Sequence, residues 1–248
     1  MSRTVIAACL LAATGCAPAI RTMPKPAPEP IAETPLLAKS PDIIVVASET
    51  AYDPETGSIS YMLPEPALVR IRIGVQNGPL LRTLVDWEPR AAGQHVTIWD
   101  RTDETGNISY LGRRDITVVI TCIRPGEEAA MQPKACALGL RKSPEILISF
   151  PGESEQNTDG IPVVTGVVPV RIEVGVKEKA WLTNSQYEVA IYIDHVFVIE
   201  EEEGLSPFSY LLNTQGMNEG EHVITANVLS YDGEVGTRSA RCYVRKGK

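Results

Sequence analysis

The sequence predicts an all-β protein, two β-sandwiches in tandem behind an extended tether, and three observations carry that prediction. Segments such as Ala67 to Val75 (ALVRIRIGV) and Val167 to Val176 (VVPVRIEVGV) alternate apolar and charged residues with period two, the pattern of strands with one buried face. Glycines recur between such runs, at Gly57, Gly78, Gly93, Gly106 and Gly112, each near Asn, Asp or Pro, so turns come at the spacing of a sandwich. No segment shows the i, i+3, i+4 apolar pattern of an amphipathic helix.

Residues 1–15 place Arg3 before an apolar run, Val5 to Ala13, too short to cross a bilayer, which is a signal-peptide pattern. The run ends Ala13-Thr14-Gly15-Cys16 and resembles the lipobox of bacterial lipoproteins. That resemblance implies a diacylated Cys16 as the mature N-terminus, a membrane held through the lipid and, with Ala17 following, an outer-membrane location in the cell envelope. An ordinary cleaved secretory signal is the alternative. Residues 16–41 form the tether: Ala17 to Pro41 holds seven prolines in 25 residues. Proline-rich chain favours polyproline II, so this leash reaches up to roughly 70 Å.

The first sandwich is expected over residues 42–142, with strand runs SISYML, ALVRIRIGV, LLRTLVD, HVTIW and DITVVITC. Val69, Ile71, Ile73 and Val75 share its inner face, and Arg70 and Arg72 the outer one. The second is expected over residues 143–248, with ILISF, VVPVRIEVGV, YEVAIYID, HVFVIE, PFSYLL, HVITANVLS and ARCYVR, and with Val176 as the last inward residue of its second strand. Cys122 and Cys136 flank a turn-rich segment, and a disulfide between them would stabilise by about 3 kcal/mol in an oxidising compartment. Cys242 lies on the apolar phase of its strand and reads as a buried thiol.

The residues Gly78, Arg82, Leu84, Ala92, Gly93, His95, Trp99, Asp100, Asp103 and Gly106 resemble the Ig-like module of the flagellar hook-capping protein family over residues 58–120. Arg101 stands where that family has glycine. The second half is similar to bacterial Ig-like repeats through Tyr192-Ile193-Asp194 and Gly220, His222, Asp232 and Gly236, with His195 in place of a glycine. These resemblances imply two tandem Ig-like β-sandwiches; the modules occur on many exported proteins, so flagellar function does not carry over.

Chemistry is concentrated in Thr97 to Asn107, TIWDRTDETGN. An EF-hand loop needs a closing glutamate that nothing after Gly106 supplies, so Asp100 and Asp103 are expected to hold a turn by accepting backbone N–H groups, with no metal site. Glu200, Glu201, Glu202 and Glu203 form the one acidic run, a solvated loop or a docking patch for a basic partner. Of three histidines, His95 is out of phase with Val96 and Ile98, His195 sits at a hairpin tip, and His222 shares the phase of Ile224 and Val228. No catalytic motif or cofactor signature occurs, and a net charge of −8 without a basic cluster argues against nucleic acid. The expected function is therefore a non-catalytic interaction or assembly scaffold with a protein partner in the envelope. A carbohydrate-binding or adhesive module is the alternative, with Trp87 and Trp181 as its stacking platforms.

Overall fold

The computed structural model describes residues 44–124, 140–153 and 155–247. Cys16, Cys136, the signal segment and the tether lie outside them. Among the described residues fifteen strands in four sheets build two sandwiches, each around its own apolar core, and both belong to one compact unit. The all-β expectation holds.

In the first sandwich, β1 (Ile44–Val45), β4 (Ala67–Val75), β5 (Leu80–Arg90) and β7 (Ile116–Ile123) form a sheet in the order β1-β7-β4-β5. It faces a second sheet, β2-β3-β6, of β2 (Ser48–Asp53), β3 (Ser58–Leu63) and β6 (Gly93–Ile98). Val69, Ile71 and Ile73 alternate into the core as the sequence indicates. Burying a side chain of this size stabilises by about 1.5–3 kcal/mol. The outer face departs from expectation: Arg70 is only 2% exposed, because β4 is covered on both sides.

Strand β6 takes the phase opposite to the one its valine and isoleucine suggest. Val96 and Ile98 are exposed, while His95 turns inward and stacks on Tyr61 at 5.4 Å. The cause is Trp99, fully buried between Tyr52 and Tyr110 at ring separations of 6.2 and 6.3 Å. Its indole claims the core, and period two then leaves residues 96 and 98 outside.

The second sandwich packs β8 (Ile146–Ser149), β10 (Val167–Val174) and β13 (Phe208–Asn213) against a five-stranded sheet. That sheet comprises β9 (Val163–Val164), β11 (Tyr187–Ile193), β12 (Val196–Glu201), β14 (Gly220–Ser230) and β15 (Val235–Val244), in the order β12-β11-β14-β15-β9. β10 stops at Val174, and a helix, α1 (Val176–Ser185), follows. Val176 is therefore not inward but 93% exposed. The helix buries one residue, Leu182, so it carries no apolar stripe for periodicity to register.

The turn after Trp99 is built as expected. Asp103 is fully buried, and its Oδ1 accepts the backbone N–H of Asn107 at 3.0 Å and of Ile108 at 3.1 Å. Thr105 Oγ1 donates to the same carboxylate, and Gly106 takes a φ of +75°. Asp100 accepts Thr102 N and pairs with Arg82 Nη1 at 2.9 Å, in a more exposed position. Gly57 allows the closest approach here, since a Cβ at that position would lie 2.1 Å from the Trp99 carbonyl oxygen.

Asp103→Ala strands the buried Ile108 N–H and the part-buried Asn107 N–H and is expected to cost about 1–3 kcal/mol. Asp100→Ala should cost less. Thermal melts of both variants test the ranking, and wild-type melts in calcium and in chelator should superimpose; a calcium-dependent rise abolished by Asp103→Ala would contradict the turn assignment.

Candidate interaction surfaces

The outer face of β4 and β5 is the joint between the sandwiches. The Arg70 guanidinium bonds Asp86 Oδ1 at 2.9 Å through Nε, ion-pairs with Glu234 through Nη1, donates to the Arg141 carbonyl at 2.6 Å through Nη2, and lies 4.2 Å above the Trp87 ring. Asp86 in turn accepts Ser143 N at 2.8 Å. One cation thus gathers the first sandwich, the segment 140–143 and the β14–β15 turn of the second sandwich. Leu140 closes over Leu68, Trp87 and Ile123 beside it. Burial and the neighbouring Arg70 push Arg72 down to about 10, so it remains a cation at neutral pH.

A second clamp sits at the start of β5. Asn227 Oδ1 accepts Leu80 N at 2.8 Å and Asn227 Nδ2 donates to Leu80 O at 3.0 Å, so the side-chain amide pairs with the strand as a peptide unit would. Thr237 Oγ1 adds a bond to the same carbonyl at 2.6 Å. Gly236 lets the connecting segment pass, because a Cβ there would meet the Pro144 carbonyl oxygen at 2.4 Å.

The hairpin tip between β11 and β12 forms a third contact. Asp194 and His195 both adopt positive φ, +50° and +70°, and the His195 ring meets Tyr110 of the first sandwich edge-on at 5.5 Å. Asp194 Oδ2 lies 2.6 Å from His222 Nδ1, and its Oδ1 accepts Val223 N at 3.0 Å. Burial disfavours the charged form of His222, but the bonds to Asp194 and the Asn218 carbonyl outweigh it, and the pKa is raised. His195 goes the other way, lowered by burial and by Arg113.

Edge strands among the described residues include β2, β6, β8 and β13, each paired on one side only, and two further open stretches lie on β7 and β12. β1 pairs with β7 only at Cys122 and Ile123, leaving residues 116–121 of β7 beside a trough of about 480 Å³ lined by Tyr52, Ile59, Ile116, Val118 and Ile120. β12 pairs with β11 alone, and its Val196 and Phe197 are 67% and 52% exposed. The four glutamates diverge at the end of β12. Glu201 accepts Glu203 N at 2.8 Å and Leu205 N at 2.9 Å and so holds the following turn, whereas Glu200, Glu202 and Glu203 are exposed.

The remaining sequence candidates fall as follows. Cys122 is a free, buried thiol raised by burial, and its expected partner Cys136 is outside the described residues. Cys242 is buried and pushed up to about 12 by burial, which fits an inert thiol. The two tryptophans assigned to sugar stacking are occupied: Trp87 is buried under Arg70, and Trp181 is half-buried with the Arg141 guanidinium 4.7 Å from its ring centre. Among the described residues no three His, Cys, Asp or Glu side chains are grouped to hold a metal ion. The joint was missed because Arg70 and Arg72 read as a solvent face; the buried Asn227 in an apolar strand was the available signal.

No family model and no curated protein matches the chain. Similar solved structures include the fibronectin(III)-like modules of Clostridium thermocellum CbhA, at 11% identity over 82% of this chain and 94% of that one, TM-score 0.29. The central fibronectin-III array of RIM-binding protein is similar at 8% identity over 83% and 71%, TM-score 0.26. The endo-beta-1,4-mannanase of Thermotoga petrophila is similar at 17% identity over 63% of this chain, which spans 30% of that one, TM-score 0.31. At these scores nothing of binding or activity passes to this chain, and its fold is read from its own strands.

Two predictions follow from the joint and the hairpin tip. Arg70→Ala leaves Asp86 without its cation and Glu234 with only Arg72 at 3.7 Å, and should cost about 3–5 kcal/mol in denaturant unfolding; a variant as stable as the wild type would show that the network contributes nothing. His222 has a raised folded pKa, so its contribution is fully present below its ordinary value near 6.5 and is lost as pH rises through the raised one. Asp194→Asn should therefore lower the melting temperature more at pH 5.5 than at pH 8, and an equal loss at both would contradict the pairing.

Proposed function

We propose that this chain is a non-catalytic interaction module of the bacterial cell envelope, held to the outer membrane through an acylated Cys16 and presenting two rigidly joined sandwiches to a protein partner. The observation that carries this reading is the contrast between joint and edges. Buried ion pairs and hydrogen bonds between the sandwiches fix the joint, while β7 and β12 keep unpaired backbone toward solvent. Such an arrangement presents surface in a fixed geometry.

Further support comes from the sequence. A leash of seven prolines after Cys16 suits a domain that must meet its partner away from a membrane. The hook-capping-type relationship of the first sandwich belongs to this proposal and rests on the cluster Arg82, Trp99, Asp100 and Asp103, which act together as one turn. The carbohydrate-binding alternative is disfavoured, since guanidinium groups already cover both tryptophans that would serve it.

Two experiments test the proposal. A fatty-acid analogue fed to cells should label the wild type and leave Cys16→Ala unlabelled and unprocessed; equal labelling would remove the anchor. Photo-crosslinking amino acids placed in turn over both sandwiches should yield a discrete adduct with an envelope protein, and the absence of adducts from every position would overturn the interaction reading.

A further inference from the structure

This inference rests on the interaction-module reading and names what one of its edges accepts. β12 presents four consecutive apolar residues, Val196 to Ile199, all exposed to 38% or more. Natural proteins protect such an edge with charge, a bulge or a cover, because a bare apolar edge invites pairing with another chain. β12 has a bulge, since Tyr192 pairs with Phe197 and Ile191 with Ile199, leaving Val198 unpaired. No strand covers it among the described residues.

The register sorts its side chains into two faces. Ile199 opposes buried Ile191 and Val196 opposes Ile193, so these two continue the inner face beyond the last covered strand. Phe197 packs edge-on against Tyr192 at 5.8 Å on the other face, and Glu200 opposes Ala190 there. Glu200 shares this face with Glu188, whose carboxylate also accepts the Tyr231 hydroxyl at 2.7 Å. A hydrogen bond to Glu188, partial burial and the like charges of Glu188 and Glu202 raise the pKa of Glu200. The outer face is thus apolar at one end and crowded with uncompensated negative charge at the other.

We infer that β12 is an acceptor edge for an extended strand of a partner protein that sets apolar side chains beside Val196 and Ile199 and a lysine or arginine beside Glu200. Backbone N–H and C=O groups of β12 would supply affinity, and the two faces would supply selectivity. The charge identifies the occupant. A second copy of this chain would bring another Glu200 to Glu203 run to an edge on a molecule that carries a net −8, whereas a basic strand neutralises the crowded carboxylates.

The full chain titrated with a fluorescent eight-residue peptide of alternating valine and lysine tests this. Binding should weaken as salt is raised, and hydrogen exchange should slow at Val196 to Ile199. Glu188→Gln and Glu200→Gln should each weaken binding about two- to fivefold, the range of exposed ion pairs. Val198→Pro should remove binding while its circular dichroism stays native; if that variant misfolds, Phe197→Lys, which adds a repelling charge to the same edge, serves in its place. Equal binding of an alternating valine and glutamate peptide, slowed exchange at residues 116–121 in place of β12, or concentration-dependent self-association that protects β12 without peptide would each overturn the inference. In-cell adducts from other positions would then still support an interaction module, and their absence would remove both.

Discussion

The Arg70 guanidinium is the interaction on which the arrangement of this molecule depends. A buried cation in a sheet face costs several kcal/mol of desolvation unless every donor is met by an acceptor of suitable charge and geometry. Here the acceptors come from three places: Asp86 from the neighbouring strand, the Arg141 carbonyl from the connecting segment, and Glu234 from the second sandwich. Satisfying the charge therefore requires both sandwiches and the connector to take one relative position. Apolar contact alone would tolerate sliding, whereas directional bonds from one planar group do not. The Asn227 clamp on Leu80 adds a second fixed point and the His195–Tyr110 contact a third, which together limit rotation of one sandwich against the other.

Two positions where the resembled motifs carry glycine show how this chain tolerates strain. Arg101 sits at φ +62° and His195 at +70°, both in the left-handed region, where a side chain costs about 1–2 kcal/mol. Each side chain returns a contact that glycine would lack. Arg101 Nη1 donates to the Glu55 carbonyl at 2.5 Å, tying the Trp99 turn to the β2–β3 connection. The His195 ring reaches Tyr110 in the other sandwich. The departures from the resembled motifs thus keep the backbone path and add interactions across it.

How much of this was legible in the sequence depends on range. Period-two alternation located the main strands of both sandwiches, because burial of one sheet face is written into neighbouring residues. The Asp103 turn was legible for the same reason, as its acceptor and donors lie within five residues. β2 was not legible: Ser48 to Asp53 is an exposed edge strand with no apolar alternation. The helix was hidden by burying a single residue, and the phase of β6 by the larger claim of Trp99 over Val96 and Ile98. The joint was hidden most fully, since an arginine facing solvent and an arginine facing Glu234, 164 positions further along the chain, look identical in an alternating strand.

The same reasoning separates the β7 edge from the β12 edge. β7 borders a trough whose lining is uncharged, so its surroundings select for apolar content and little else. β12 carries a directional instruction, apolar residues at one end and crowded carboxylates at the other, with Glu201 withdrawn into the following turn and unable to share the load. A rigid joint makes that instruction usable, because the hairpin tip that begins β12 is itself pinned to the first sandwich through His195 and Tyr110. An edge held in this way loses little conformational entropy when a strand is added, and the orientation of the added strand is set by the Arg70 network several strands away.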